Sequence, residues 1–261
     1  MKSKWRWWHT LLLIVFTGAI LLTGFKKELP AVGNIGLLET WIIIAILLTL
    51  SLSIIGHGIT GLLKGVLVDD RNMVSLSRFQ TVLWTILILS ALITAFLSNL
   101  AAGKENPLSI KIPEELWALM GISVTSLVGS PLIKSTKHSR DVHKEDEEAA
   151  KDQLKKKGLD EKKTYFKGQI VVYKEPEMAS FSNLFEGEEA GNAARVDLAK
   201  VQMFYFTVIL VLAYAVALGK MFASNTFITE FPSLDPSMIW LLGISHGGYL
   251  LHKAVPHTRP K

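Results

Sequence analysis

Residues 75–101 read SLSRFQTVLWTILILSALITAFLSNLA, and residues 197–223 read DLAKVQMFYFTVILVLAYAVALGKMFA. Laid over one another they need no gap. Gln80 falls on Gln202 and, further on, Gly121 falls on Gly243, both with the same shift of 122 residues. Leu76, Thr85, Ala91, Ala95, Ala101, Leu119, Ile122 and Ser123 also recur unchanged, and Arg78 is matched by Lys200. Each block continues into a second apolar run, PEELWALMGIS ending at Ser123 and PSMIWLLGIS ending at Ser245. Generic apolar composition can imitate part of this. It does not supply a basic-x-Gln and a Leu-x-Gly-Ile-Ser at one constant shift. The pattern predicts a duplication in which each copy is a helical hairpin that enters and leaves on one side. Copies of equal orientation are parallel repeats, related by an axis along the membrane normal.

The rest of the chain fits a membrane. About half of its 261 residues are apolar, and charged residues are confined to a few clusters. About 20 consecutive apolar residues suffice for a transmembrane helix. Six such runs can be drawn, near residues 7–25, 37–63, 80–102, 113–133, 199–222 and 236–255. All are expected to be helices, since a single span must satisfy its own backbone hydrogen bonds in lipid. The second run is long enough to tilt. The first has the basic start of a signal peptide. However, Lys26, Lys27 and Glu28 follow Phe25 with no small-x-small cleavage site, and Trp5, Trp7 and Trp8 suit an interfacial anchor. The expected fold is an all-α membrane protein with parallel hairpins. Its parts are an N-terminal pair of helices (residues 1–64), a first repeat (65–134), a charged cytoplasmic insert (135–198), and a second repeat with a basic tail (199–261).

The formal net charge of +5 follows from topology rather than from nucleic-acid binding, because cytoplasmic loops are rich in Lys and Arg. With the N-terminus inside, the outer segments hold only Lys26, Lys27, Lys104, Lys111 and Lys220. Lys2, Lys4, Arg6, Lys64, Arg71, Arg78, Lys134, Lys137, Arg140, Lys200, Lys253 and Arg259 face the cytosol. This predicts a multi-pass membrane protein with both termini cytoplasmic. There is no cysteine, which excludes disulfides, thiolate metal sites and cysteine nucleophiles.

Within the insert, HSRDVHKEDEEAAKDQLKKKGLDEKK predicts an exposed helix with Glu147 and Glu148 one turn before Lys151 and Asp152, ended by Gly158. GQIVVYKEP predicts one short strand or hairpin arm over Ile170, Val171, Val172 and Tyr173. SFSNLFEGEEAGNAARVDL offers Ser180 or Ser182 as a helix cap, with Phe181, Leu184 and Phe185 as its apolar face. The segment is too small for a large core of its own and is expected to pack on the membrane part or on a neighbouring copy.

Taken together, SLSRFQ with LWALMGIS, then SFSNLFEGEEAGNAARVDLAKVQMF and FPSLDPSMIWLLGISHGGYLLHKAVPH, resemble a widespread group of uncharacterised bacterial integral-membrane proteins. These carry the same paired hairpins and an LF-x-GEE-x-GN connector. The resemblance covers roughly residues 70–257. It implies a bacterial origin and a two-hairpin core, and it transfers no catalytic residue.

Candidate functional residues follow from placement. Gly243 and Gly247 share one helix face, as do Gly121, Thr125 and Gly129, and Gly56, Gly58 and Gly61 cluster on the second run. Small residues at this spacing let helices approach closely, within one chain or between copies. His246 and His57 are ionisable groups inside apolar runs, which by default face a bundle interior or a watery cavity. They are candidates for a pore or gate, or neutral imidazoles bonded to a carbonyl or a serine. Gln80 and Gln202, with Arg78 and Lys200, are candidates for a polar ring at the inner ends of their helices. The alternative for Arg78 and Lys200 is simple headgroup anchoring. Lys155, Lys156 and Lys157 could receive an anionic ligand or a protein partner, or belong to a solvated charged helix.

No phosphate-binding loop, HExxH or GxSxG occurs, and the pair Glu188-Glu189 alone is a weak catalytic signal. The runs hold no acid away from their ends, which argues against a proton-coupled transporter. The sequence therefore predicts no enzyme, no metal and no cofactor. It points to an oligomeric channel gated by a cytosolic ligand or partner, as in a defence or signalling effector. The alternative is a non-conducting anchor whose insert docks a cytosolic partner.

Overall fold

The computed structural model describes residues 4–25, 35–159 and 162–258. Lys2, Lys26, Lys27, Glu28 and Arg259, used above to orient or delimit the chain, lie outside the described residues. Within these limits the protein is mostly helical, with seven α-helices and one small hairpin. The helices are α1 (Trp7–Leu22), α2 (Leu37–Thr60), α3 (Leu76–Ala101), α4 (Glu114–His138), α5 (Lys144–Lys156), α6 (Leu198–Ser224) and α7 (Pro236–Ala254). Strands β1 (Thr164–Lys167) and β2 (Ile170–Tyr173) pair antiparallel, with Thr164 opposite Tyr173. The strand over residues 170–173 is thus one arm of a hairpin whose other arm, TYFK, carries too little apolar pattern to be read alone.

Among the described residues four helices, α2, α3, α4 and α6, are long and apolar enough to cross a membrane. Large apolar side chains stay exposed along their outer faces. On α6 these are Tyr205, Ile209, Leu212 and Val216, each close to 60 % exposed. A helix that keeps an apolar stripe outward is solvated by lipid rather than water. The 16-residue α1 is short for a span, and α7 is diluted by Ser245, His246 and its glycines. The helices of the two matched blocks begin in step. Leu76 and Leu198 open α3 and α6, and Glu114 and Pro236 open α4 and α7, each pair at the shift of 122 residues.

The chain divides into two compact units. One comprises Met1–Val66, Val82–Met120 and Val208–Ile239. There α1 packs on α2, and Ile20, Ile44 and Leu97 share a core. Trp41 Nε1 donates to Ser90 Oγ (2.8 Å). Asn99, fully buried, ties the end of α3 to two loops. Its Nδ2 donates to the carbonyls of Ile228 (2.7 Å) and Pro107 (3.2 Å), and its Oδ1 accepts from the Ile228 amide (2.9 Å). Asn99→Leu strands three backbone groups at about 1–3 kcal/mol each if they stay dry. A melting temperature lowered by several degrees in detergent is expected, and an unchanged one would mean that water replaces the amide.

The other unit comprises Leu67–Thr81, Gly121–Thr207 and Trp240–Lys261. Here the insert closes over a small core of Met73, Ala150, Leu154, Val171, Tyr173, Ala190 and Ala193. Helix α5 carries the expected ion pair between Glu147 and Lys151 (2.9 Å) and a second between Asp152 and Lys156 (2.7 Å). Gly158 follows it with φ +72°. Ser180 caps a short 3-10 turn over Phe181–Phe185. The insert docks on a tight loop: the Tyr173 amide donates to the Arg71 carbonyl (2.9 Å), and Asn72 Nδ2 donates to the Tyr173 carbonyl (2.7 Å). Asn72 takes φ +56°, a left-handed conformation that asparagine tolerates better than most residues.

Candidate functional site: a buried charge cluster and a polar helix stripe

The connector GEE lies at the centre of the second unit. It runs extended beside β2. The Val171 amide donates to the Glu188 carbonyl (3.0 Å), and the Ala190 amide donates to that of Gln169 (2.9 Å). Gly187 is needed there, since a Cβ would run into Asn192. This path turns both carboxylates into buried surroundings.

Glu188 meets three cations: Lys253 Nζ at 2.5 Å, Lys200 Nζ at 2.9 Å and Arg71 Nη1 at 3.3 Å. Glu189 Oε1 pairs with Lys137 Nζ, and its Oε2 accepts from the His257 amide (2.9 Å). Lys137 Nζ also donates to the carbonyls of Lys253 and Val255. Asp69 takes Arg71 through both Nε (3.0 Å) and Nη2 (2.8 Å), and accepts from Lys134 Nζ (2.9 Å). The side chains of Arg71, Lys134, Lys137 and Lys200 are each under 5 % exposed. Charges so far from water persist only when paired. Burial alone would push the Glu188 carboxyl up, yet Arg71, Lys200 and Lys253 hold it well below the usual carboxylate range. Asp69 is likewise held low against its burial by Arg71 and Lys134. Arg71 is raised despite burial by Asp69 and Glu188.

Five cations thus enclose three carboxylates. They join the 69–71 loop, the end of α4, the start of α6, the end of α7 and the connector. A cavity of about 20 Å³, lined in part by Lys134, Lys137, Glu188, Lys200, Tyr249 and Lys253, has room for about one water. The cluster is a clasp.

Helix α4 leads away from it. Its buried stripe reads Ser123, Ser126, Ser130, Lys134, Lys137, three or four residues apart, while Val124, Val128 and Leu132 face outward. On α7 the inward residues are Leu242, Ser245, His246, Tyr249 and Lys253. His246 is 2 % exposed. Its Nδ1 lies 2.6 Å from Ser126 Oγ, and the Ile122 backbone is beside the ring. One turn on, Lys253 Nζ donates to Tyr249 Oη (3.1 Å). His246 Nε2, Ser123 Oγ and Ser245 Oγ are buried with no hydrogen-bond partner among the described residues.

The other sequence candidates are scattered. Gln80 is buried and donates to Thr207 Oγ1 (2.6 Å), whereas Gln202 is exposed. Arg78 is half-buried and Lys200 belongs to the clasp, so the four do not form one ring within the chain. His57, in the first unit, is bonded by His9: Nε2 of His9 lies 3.0 Å from Nδ1 of His57. His9 Nδ1 lies 2.9 Å from the Arg6 amide and 3.1 Å from the Arg6 carbonyl. Trp8 stacks on His9 at 3.6 Å between centroids, and a Cβ at Gly58 would strike Trp5. Close approach through glycine therefore occurs at Gly58, and at Gly56 against the backbone of Gly65 and Val66. At Gly243 and Gly129 a Cβ would make ordinary contact with Ile122 and Leu250, and at Gly121 and Gly247 it would meet nothing within 4 Å. Thr125 is exposed and donates to its own helix at the Gly121 carbonyl (2.8 Å). In the lysine run, Lys156 pairs with Asp152 and Lys157 with Glu186, while Lys155 is exposed.

Sequence reasoning passed over the clasp. The signal available was the coincidence of GEE with lysines spaced three apart at the end of an apolar run, Lys134 and Lys137. No family model, no curated protein and no solved structure matches the chain.

Proposed function

We propose that the protein is an oligomeric channel of a bacterial inner membrane, opened and closed through its own cytoplasmic insert. In this reading α1 and α7 complete six spans, both termini are cytoplasmic, and the two hairpins are parallel repeats. The observation that carries it is the set of buried polar atoms inside these helices with no partner among the described residues, His246 Nε2, Ser123 Oγ and Ser245 Oγ. Each costs about 1–3 kcal/mol if left dry. An interior that hydrates them removes that cost, and a hydrated polar stripe between helices is what conduction needs. The clasp supports the gating half, since it joins the insert to the ends of α4, α6 and α7 at one place, so a ligand that moves the connector moves those helix ends.

The test is conductance of the purified protein in planar bilayers. His246→Ala should lower unitary conductance about tenfold, a barrier change of ~1.4 kcal/mol, and leave the oligomeric mass unchanged. A silent protein, with and without cytosolic extract, would remove the channel and favour the anchor that docks a cytosolic partner.

A further inference from the structure

Each repeat carries the same glutamine and, five residues on, the same threonine: Gln80 and Thr85 in the first, Gln202 and Thr207 in the second. One crossed pair is seen among the described residues. Gln80 Nε2 donates to Thr207 Oγ1 at 2.6 Å and lies 3.4 Å from the Met203 carbonyl. Its counterparts are both exposed, Gln202 on α6 and Thr85 on α3.

The reason is a rotation between equivalent helices. Buried positions on α3 include Ser77, Gln80, Trp84 and Leu87, and on α6 they are Lys200, Met203, Thr207 and Leu210. Brought to common register, the two stripes differ by one residue, about 100° of helix rotation. So α3 turns its glutamine inward and its threonine out, and α6 does the reverse. The protein therefore keeps one donor face and one acceptor face unused. Around them sit exposed apolar side chains, Leu89 one turn beyond Thr85, and Tyr205 and Ile209 beyond Gln202.

We propose that Gln202 of one copy donates to Thr85 of the next, repeating between chains the contact that Gln80 makes with Thr207 within one. Such a contact is head-to-tail. It closes into a ring when the rotation between copies allows, with α3 and α6 alternating around it. The occupant of this face is a second copy, because the missing half of the bond is a residue this chain itself carries. The inference rests on the oligomeric part of the function proposed above and is independent of conduction.

The absence of cysteine makes the test clean. Thr85→Cys and Gln202→Cys are placed in separate chains, co-expressed, and treated in native membranes with a short thiol-specific crosslinker. A dimer band is expected only when both variants are present, and a ladder of multimers when both substitutions share one chain. In a third variant, Gln202→Leu, a position facing only lipid would keep its mass in detergent, whereas the ring contact predicts a shift toward monomer. Crosslinking of Gln202→Cys with itself would mean a two-fold interface and overturn the proposal. No mixed product from a protein of oligomeric mass would overturn the contact while leaving the oligomer standing. A monomeric mass for the parent protein would overturn both.

Discussion

Glu188→Gln is expected to destabilise the protein by about 3–5 kcal/mol, the cost of breaking a buried ion pair from one side. The substitution keeps shape and volume, so packing is not the cause. What changes is that Arg71, Lys200 and Lys253, now placed around one carboxylate at 2.5–3.3 Å, face a neutral amide that can neutralise none of them. Thermal unfolding in nanodiscs, read beside protease resistance of the insert, measures it. Protection of the insert should fall first, because the connector holds it to the helix ends. A Glu188→Gln protein as stable as its parent would mean that water already screens the three cations and that the clasp is an ordinary wet surface.

The same carboxylates set a pH dependence. Glu188 and Asp69 are both held below the ordinary carboxylate range in the folded protein, so their stabilisation is complete above the unfolded-state values of about 3.9–4.3. It is lost as pH falls through the lower folded values. Stability is therefore expected to be flat from neutral pH to about 5 and to decline below that, with a shallower decline in Glu188→Gln. An equally steep acid limb in that variant would place the responsible carboxylates elsewhere.

The elements were legible to different degrees, for physical reasons. The apolar runs made the helices legible, so the openings of α6 and α7 were read to within a residue. The start of α3 and the end of α4 were not. Leu76 and Ser77 open α3 inside the protein, and Lys134 and Lys137 continue α4 past the apolar run because their ammonium groups meet Asp69, Asp70, Glu189 and backbone carbonyls. A lysine at the end of a span reads as a headgroup anchor in sequence. Whether it turns outward or into a cluster depends on a carboxylate that arrives from more than 50 residues away. The polar stripe had the same ambiguity: serine is common in membrane helices, and only burial separates Ser126, which meets His246, from exposed Thr125 next to it. The match between the two blocks was legible letter by letter, but the rotation that buries Gln80 and exposes Gln202 was not, since identical residues give no sign of the face they will occupy.

Lys137 and Glu189 offer the sharpest test of whether the clasp works as pairs. Lys137→Met keeps the aliphatic stem but leaves the Glu189 carboxylate buried and strips the Lys253 and Val255 carbonyls of a donor. Glu189→Met leaves the ammonium with carbonyls only and orphans the His257 amide. Each single change is expected to cost about 3–5 kcal/mol. The double variant removes both charges and should fall short of the sum by about 1–3 kcal/mol, the coupling of residues in direct contact. It should not return to the parent value, because three backbone groups still lack partners. The C-terminal tail reports this locally, since His257 and Thr258 are held at the connector through the Glu189 carboxylate and the Gly191 amide. All three variants should raise the protease sensitivity of residues 255–258, the double no less than the singles, even as global stability partly recovers. Additive losses would mean that Lys137 and Glu189 act separately, Lys137 as a cap on the carbonyls that end α7 and Glu189 as an anchor for the tail.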